Sequence, residues 1–345
     1  MAYASITKPS DYFDTLLYTG DGSATQSISG TSFSPGWIWI KDRDATHDHY
    51  SFDSVRTNKK GLEPSDTSAE RTPVLGSIDN DGFTFASTDG FYNANGDKYV
   101  AWNWKANGAG SSNSDGSITS TVSASTASGF SIIKYTGTGS VGTIGHGLGA
   151  KPNVIFQKKL DGATAWTAYH DKFASDPATD YLYLDKSDAL ADYAAHWNDT
   201  EPTSSVITLG TDSSVNGNGN PNIIYAFTEI KGYSKFGKYT GNSSTDGPFI
   251  YTGFKPAWVM IKKYSDTANW MIYDNKREGY NVDNDHLKAN LGDVEGNSDD
   301  LDLLSNGFKL RTSGSGENSG NFIYLAFAAE PLVANVGQSI PATAR

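Results

Sequence analysis

Short runs of apolar residues, broken by Gly, Asn, Asp and Ser, follow each other along the whole chain, and the same pattern occurs three times. Each copy contains Tyr-Thr-Gly, beginning at Tyr18, Tyr135 and Tyr239. Seventeen residues after each tyrosine stands a proline, and six residues after each proline stands a lysine. Self-similarity at a fixed spacing is the sign of a repeat architecture, so the sequence predicts a tandem triplicate.

Within each copy the apolar runs have the length and composition of β-strands. The segment after the first proline, Trp37 to Lys41, is apolar at consecutive positions, which indicates a strand covered on both faces. Several such strands separated by Gly-rich turns are typical of antiparallel sandwiches, and no alternation with long helices is present. The predicted fold is all-β, with three tandem antiparallel β-sandwich domains of jelly-roll or lectin-like type and little helix.

The copies and the segments between them give the predicted domain boundaries. Residues 107–128 are rich in Gly, Ser and Thr and poor in large apolar side chains, a composition typical of a flexible linker. We predict an N-terminal lead at 1–11, sandwich repeats at 12–106, 129–231 and 232–330, the linker at 107–128, and a C-terminal tail at 331–345.

Charge and composition limit the classes of function. The 345 residues carry a formal net charge of −12, which disfavours binding to a phosphate backbone and therefore to nucleic acid. The absence of cysteine excludes disulfides, cysteine nucleophiles and cysteine-ligated metals. The N-terminus lacks the layout of a signal peptide, and no apolar run approaches the ~18 residues of a membrane span, so we expect a soluble protein without membrane insertion.

Two short motifs suggest binding chemistry, and each has a plainer interpretation. Residues 137–142 match G-x-G-x-x-G, but a dinucleotide site requires a helix to begin there, and the Gly-rich sequence that follows favours a hairpin turn. His47 and His49 place two imidazoles two residues apart, as in some metal sites. The other copies contain no equivalent pair, so a polar loop entering a strand is the preferred interpretation. We predict no cofactor.

Carboxylates are the remaining candidates for metal binding or catalysis. Five aspartates crowd one segment of the third copy: Asp283, Asp285, Asp299, Asp300 and Asp302. Such a cluster can hold Ca²⁺, but the spacing does not match an EF-hand, and a solvated acidic surface is preferred. No Gly-x-Ser-x-Gly motif occurs, although a pair of carboxylates meeting in space, as in glycosidases, stays open. No catalytic residue is predicted, and the binding residues are left unassigned.

Recurring lysines and abundant tryptophans are interpreted first as structural. Lys41, Lys158 and Lys262 occupy the same position in the three copies, where a lysine at a strand end is expected to reach solvent. Most tryptophans fall in the strand signatures and are expected in the core, with subunit interfaces or a sugar-stacking surface as alternatives.

Several longer segments resemble a repeated module of tailed-bacteriophage virion proteins, especially those of marine phages. The resemblance covers nearly the whole chain. It is carried by residues 8–13, 99–106, 145–149, 202–206, 232–242, 253–257, 304–310 and 341–345. It implies a structural protein located in the phage particle and supplies no catalytic residues.

The functional prediction is therefore a non-enzymatic virion protein, most simply a fibre-like tail appendage that contributes to host attachment. A capsid decoration, head fibre or tail connector is the alternative, and a glycan-binding or glycan-degrading sandwich is a second one. Expected partners are other virion proteins, a host-surface glycan or an outer-membrane receptor, and further copies of the chain, with a trimer favoured. The segments that differ most between copies, 55–80, 171–200 and 275–303, are the expected location of any specificity.

Overall fold

The computed structural model describes residues 4–56, 59–72, 74–173, 176–278, 281, 285–298 and 300–331. Within these ranges the protein is all-β, as predicted. Every pair of neighbouring strands is antiparallel, and the helices are single turns. None of the helices in these ranges has the length and apolar character needed to cross a membrane.

The first copy follows a 3-10 turn and contains seven strands and one helical turn. Its elements are β1 (Phe13–Thr19), β2 (Ser27–Ser29), β3 (Trp37–Asp42), β4 (Tyr50–Asp53), β5 (Leu75–Asp79), β6 (Gly82–Phe85), α1 (Gly90–Asn93) and β7 (Lys98–Trp104).

The second copy and the residues before it contain ten strands and the second helical turn. They are β8 (Ser111–Asn113), β9 (Ser120–Ser125), β10 (Phe130–Thr136), β11 (Gly142–Gly145), β12 (Val154–Lys159), β13 (Thr167–His170), β14 (Asp180–Tyr183), β15 (Ala191–Asp192), β16 (Val206–Leu209), α2 (Ser213–Asn216) and β17 (Pro221–Phe227).

The third copy contains nine strands and the third helical turn. They are β18 (Ser234–Thr240), β19 (Phe249–Tyr251), β20 (Phe254–Lys263), β21 (Trp270–Asp274), β22 (Asp285–Lys288), β23 (Gly296–Asn297), β24 (Leu301–Leu304), β25 (Gly307–Leu310), α3 (Ser315–Asn318) and β26 (Asn321–Pro331).

Each copy builds a main sheet and a small sheet with the same strand order. The main sheets share the orders β1-β7-β3-β4, β10-β17-β12-β13 and β18-β26-β20-β21. The second is extended by β9 and β8 on one edge and by β14 and β15 on the other, and the third by β22 and β23. The small sheets are β2-β6-β5, β11-β16 and β19-β25-β24.

The Gly/Ser-rich segment 107–128 differs from its prediction as a linker. It contains β8 and β9, and β9 pairs with β10 over six residues, from Ser125 opposite Phe130 to Ser120 opposite Tyr135. Ser120 and Ser123 are buried within this edge. Low apolar content did not prevent strand formation, because β9 gains ladder hydrogen bonds from β10 on one side and from β8 on the other, even where its side chains bury little apolar surface.

Two kinds of hydrophobic cluster account for strands that are buried on both faces. Each copy has its own cluster, in which apolar residues of its main sheet meet those of its small sheet. A fourth cluster joins all three main sheets on their opposite faces and is rich in aromatic rings, including Trp37, Trp104, Tyr225, Phe227 and Trp258. The rings of Trp37 and Tyr225, from different copies, stack with centroids 4.4 Å apart.

One reason to favour a trimer is that strands buried on both faces suggest more buried surface than one small sandwich needs, and the shared cluster accounts for that burial within one chain. All six residues of β3 are buried, as the sequence pattern predicts for a two-faced strand. The second face is covered by the other two copies of the same chain. Two-sided burial therefore gives no reason to expect a second chain.

Candidate functional site: seams between copies and an exposed aromatic strip

Hydrogen bonds from the Tyr-Thr-Gly motif connect β1, β10 and β18 to the helical turn of the same copy. The hydroxyls of Tyr18, Tyr135 and Tyr239 donate to the carbonyls of Tyr92, Val215 and Glu317, at 2.7, 2.6 and 2.6 Å. The next residue of each turn is a buried asparagine: Asn93, Asn216 and Asn318. Its side-chain oxygen accepts from the backbone two residues after the motif's threonine, at 2.9–3.0 Å.

The glycine of the motif is required because it lies against the backbone at the end of the helical turn. A Cβ atom on Gly20 would lie 2.1 Å from the carbonyl oxygen of Ala94, and one on Gly137 would lie 2.4 Å from that of Gly217. Positive φ occurs two residues later instead, at Gly22, Gly139 and Ser243. The G-x-G-x-x-G match thus runs from the end of β10 to the start of β11, and no helix begins there.

The recurring lysines are buried, which corrects the expectation that they reach solvent. Lys41, Lys158 and Lys262 have no accessible surface. The Nζ of Lys158 donates to the carbonyls of Thr67 and Thr164, at 2.7 and 2.6 Å. The Nζ of Lys262 donates likewise to Ser187 and Ala268, at 3.0 and 2.6 Å. Burial lowers the pKa of each of the three lysines to about 8.

Thr67 and Ser187 belong to the preceding copy, so Lys158 and Lys262 lie at contacts between copies, which we call seams. Lys41 donates to the carbonyls of Asp42 and Ala45 in its own copy. Three backbone bonds repeat the relation: Glu70 N donates to Leu160 O, Leu190 N to Tyr264 O, and Glu295 N to Arg43 O, at 2.9–3.0 Å. Each accepting residue lies eight positions after its proline. The third bond returns from copy three to copy one, and the three seams therefore close into a ring.

An aromatic or imidazole N–H completes each seam. The indoles of Trp166 and Trp270 donate to the carbonyls of Glu63 and Tyr183, at 2.8 and 2.9 Å. In copy one the same position is His49, whose Nδ1 accepts from the indole of Trp39 at 2.8 Å. Its Nε2 therefore carries the proton and donates to Lys288 O at 3.0 Å.

These contacts give His49 a structural role. Burial lowers its pKa well below the usual value, which keeps the ring neutral. His47 lies apart, with Nδ1 2.8 Å from Oδ2 of Asp42. The pair does not converge on a common point, and the described residues contain no group of three or more His, Cys, Asp or Glu arranged to hold a metal.

Two of the seams contain a buried network of Asp, Arg and Glu. Asp53 Oδ2 accepts from Arg56 Nε at 2.6 Å and from the hydroxyl of Tyr225 in copy two at 2.7 Å. The same guanidinium donates to Glu70 at 3.0 Å. The buried charges are thus paired within the copy and hydrogen-bonded across the seam, as burial of charge requires.

Copy three repeats this network with a different donor. Asp274 Oδ2 accepts from Arg277 Nε at 2.6 Å and from the indole of Trp102 in copy one at 3.0 Å. Arg277 also donates to Glu295 at 2.9 Å. Although burial alone would raise the pKa of Asp274, the guanidinium and the indole hold it below its usual value.

The described aspartates of the acidic segment in copy three have separate partners, two arginines and one histidine. Asp285 and Asp302 lie near Arg43 and Arg311, respectively, and Asp300 lies 3.5 Å from the ring of His286. Asp283 and Asp299 are outside the described residues. The described members of the cluster therefore have individual partners and share no common centre.

Each of the three segments expected to be variable contains a buried leucine close to the seam. Leu62, Leu182 and Leu287 are buried, and each lies eight residues before the backbone N–H that bonds to the next copy. Part of each segment thus serves assembly of the chain. Only its outward side chains are free to carry specificity.

All eight tryptophans are buried, so none forms a sugar-stacking surface. The exposed rings are elsewhere. On β19, Phe249 and Tyr251 are 45% and 57% exposed, while Ile250 between them is buried in the cluster of copy three. Alternate residues of a strand point to one face, so the two rings share the outer face of the small sheet. We call this pair the aromatic strip.

A pair of charged residues lies beside the strip. Phe249 is opposite Lys309 and Tyr251 is opposite Gly307 in the register with β25. Lys309 in turn lies 2.8 Å from Asp246. Gly307 lies close against β19, since a Cβ there would lie 2.0 Å from the carbonyl oxygen of Ile250 and 3.0 Å from the ring of Phe249.

The other copies show that the scaffold does not require these rings. The residues that correspond to Phe249 and Tyr251 are Ser27 and Ser29 on β2, and Thr143 and Gly145 on β11. The central isoleucine is retained as Ile28 and Ile144, and both are buried. Large exposed aromatic side chains at these two positions are therefore specific to copy three. No sequence rule singled them out, because exposure was decided by the strand pairing.

A family model described as a domain of unknown function (DUF7483) matches residues 8–331 and so spans all three copies. No curated protein matches the chain.

Proposed function

We propose that this chain, which belongs to the DUF7483 family, is a non-enzymatic structural protein of a tailed-phage virion. It consists of three β-sandwich modules of jelly-roll or lectin-like type, each made of a main sheet and a small sheet facing one cluster. It acts as a fibre-like tail appendage that contacts the host surface. The resemblance described above motivates the virion assignment, and the aromatic strip is the observation that carries the contact role.

The use of polar groups inside the protein supports a structural role. The buried lysines, His49 and the Asp-Arg-Glu networks all bond within or across the seams. A catalytic group must instead be available to a substrate. These buried polar groups thus serve to hold the three copies together.

The aromatic strip has the properties of a contact surface. Two rings on a rigid strand present apolar area at low cost in side-chain entropy, and the adjacent Lys309–Asp246 pair supplies polar contacts. Expected partners are a host-surface glycan or an outer-membrane receptor, because both offer apolar faces edged with polar groups.

The decisive test removes the rings while keeping the fold. The double variant Phe249→Ser, Tyr251→Ser reproduces the side chains of copy one at the same positions. We expect its binding to host cells, measured with fluorescently labelled protein, to fall at least tenfold, while its unfolding midpoint stays unchanged because both rings are exposed.

The matched control is Leu17→Ser, which removes an exposed apolar side chain from a different sheet. This variant should bind host cells as the wild type does. Equal binding by the double variant and the wild type would remove the strip from the proposal. Immunogold labelling of virions tests the location: gold on the capsid would overturn the tail assignment in favour of a capsid decoration.

A further inference from the structure

A cavity of about 190 Å³ lies at the seam where copy three meets copy one. Its walls include Phe13, Asp14 and Thr15 from copy one, and Ala257, Asn275 and Lys276 from copy three. Lys276 is exposed, so the cavity opens to solvent. At about 30 Å³ for each water molecule, it has room for roughly six. We call this cavity the seam pocket.

Small side chains open the seam pocket. Thr15, Ala257 and Ala329 line it, and the repeat aligns them with Phe236, Asn153 and Glu229 at the seam between copies two and three. Each of the three is smaller than its counterpart. The difference in side-chain volume therefore accounts for a pocket at the third seam.

The larger counterparts fill the same place at the seam between copies two and three. The ring of Phe236 packs against those of Phe227 and Phe327, with centroids 6.2 and 5.7 Å away. Glu229 accepts from Lys235 at 2.7 Å.

The seam between copies one and two is closed at this place by backbone contact. A Cβ atom on Gly36, the counterpart of Ala257, would lie 2.4 Å from the Cβ of Ala106. The seam pocket is therefore a feature of one seam and is not required by the repeat.

Two oxygen atoms of the pocket residues are buried without a hydrogen-bond partner in the described part of the chain. They are Oγ1 of Thr15 and Oδ1 of Asn275. Buried polar atoms are ordinarily hydrogen-bonded, so each of these oxygens can take a donor from a ligand. The counterpart of Asn275 in copy two is Asp171, whose Oδ2 already accepts from Asn153 and Lys172 at 2.7 and 2.6 Å.

The carboxylate of Asp14 lies at the open edge of β1, which is the outermost strand of its sheet. Tyr12 O accepts from Lys105 N on the β7 side, so the alternation of the ladder turns the backbone of Thr15 away from β7. Thr15 N donates to Oδ1 of Asp14 at 2.9 Å. This bond brings the carboxylate round to the edge that borders the pocket.

The charges of the pocket are mixed. Asp14 and Glu330 bring carboxylates, and Lys276 brings an ammonium group. Burial raises the pKa of Asp14, while the charge of Lys276 acts in the opposite direction, so these two groups lie close together. The carboxylates repel an anion and the lysine repels a metal ion. Hydroxyl groups, which both donate and accept, match such a lining.

We propose that the seam pocket binds one neutral pyranose unit of a glycan. Hydroxyls of the sugar donate to Thr15 Oγ1, Asn275 Oδ1 and the carboxylate of Asp14. Another hydroxyl accepts from Lys276, and Phe13 supplies apolar surface for the C–H groups. The volume holds a single sugar ring. The inference goes beyond the proposed function, because it concerns the purified chain and a site separate from the aromatic strip.

The experiment is a saturation-transfer NMR titration of the full chain with methyl α-D-glucopyranoside and, separately, with its manno and galacto epimers. We expect at least one of the three to bind with a Kd of about 1 mM. The uronic acid form of that epimer should bind at least fivefold more weakly, because Asp14 and Glu330 repel its carboxylate. EDTA should leave binding unchanged, since no metal takes part.

Variants locate the site. Thr15→Phe introduces the side chain that copy three has at this position and should weaken binding at least tenfold. Lys276→Ser changes an exposed residue, so its fold should be kept, and it should weaken binding at least threefold. The matched control is Lys172→Ser at the same register of copy two, which should bind as the wild type does.

The double variant Phe249→Ser, Tyr251→Ser should also bind the sugar as the wild type does, which separates this test from that of the aromatic strip. Absence of saturation transfer to all three glycosides would overturn the proposal. Loss of binding in EDTA, or undiminished binding by both Thr15→Phe and Lys276→Ser with their folds intact by circular dichroism, would overturn it as well.

Discussion

The seam between copies one and two and the seam between copies two and three occupy equivalent places but use opposite chemistry. In the former, Asp53, Arg56 and Glu70 form a buried charged network that Tyr225 completes from the neighbouring copy. In the latter, the residues in register with that network are His170, Phe173 and Leu190, and the donor is replaced by Leu325.

The residues at all four positions differ between the two seams. His170 keeps the geometry of the aspartate in neutral form: Nδ1 accepts from Lys172 N at 3.0 Å, and Nε2 then donates to Tyr324 O at 3.4 Å. At this position an aspartate is present only where an arginine of its own copy and a hydroxyl or indole of the neighbouring copy donate to it. Where the neighbour offers leucine, the charges are absent, as expected from the cost of burying an incompletely bonded ion.

The largest effect should come from breaking a charged seam by removing one partner. Arg277→Met leaves Asp274 buried without its guanidinium, and we expect a loss of about 3–5 kcal/mol in the free energy of unfolding. Chemical denaturation monitored by tryptophan fluorescence measures it. The matched control is Phe173→Met at the same register of copy two, which exchanges one apolar side chain for another and should cost less than about 1.5 kcal/mol. Equal losses in the two variants would show that charge is unimportant at the seam.

A smaller effect is expected on the stability of the protein at low pH. Burial lowers the pKa of His170 to about 4, below its value of about 6.5 in an unfolded chain. Between these values the unfolded state binds the proton and the folded state does not, so stability falls as pH decreases through this window. The shift corresponds to about 3 kcal/mol at most, at about 1.36 kcal/mol per pH unit.

His170→Gln keeps an acceptor and a donor but cannot titrate. Its urea midpoint should therefore fall less than that of the wild type between pH 7 and pH 4.5. Part of the acid sensitivity will remain, because burial also lowers the pKa of His49, His146 and His196. An unchanged acid response in the variant would mean that His170 contributes nothing to it.

The smallest effect is expected when one seam is rebuilt with the chemistry of the other. The fourfold variant Asp53→His, Arg56→Phe, Glu70→Leu, Tyr225→Leu replaces a complete charged network by the neutral set of the second seam. We expect it to stay within about 2 kcal/mol of the wild type, since a buried ion network exchanged for apolar packing is often near neutral in stability.

The single variant Arg56→Met provides the reference for that exchange. It should be the less stable of the two, although it changes only one residue, because it leaves Asp53 uncompensated. The reverse order, with the fourfold variant less stable, would show that the four positions do not act as a set.

The repeat itself, the all-β class and the two-faced strands followed directly from the spacing of tyrosine, proline and lysine and from the apolar runs. Such features are local, because strand periodicity and turn residues act over a few positions. The same reasoning placed the tryptophans in the core. It did not find the buried asparagines of the helical turns, although Asn93, Asn216 and Asn318 recur five, five and three residues before the closing strands of their copies.

The seams and the exposed surfaces were decided by the tertiary structure. Lys158 looked like a strand end that reaches solvent, and residues 107–128 looked like a linker, because neither sequence contains the copy or the strand that covers it. The aromatic strip escaped notice because an aromatic residue in a strand is ordinarily core. The sequence determined which segments are strands and that there are three copies of them. Only the packing of those copies around one shared aromatic cluster decided which polar groups are buried at the seams and which few rings face outward, because burial depends on contacts between residues far apart in the chain.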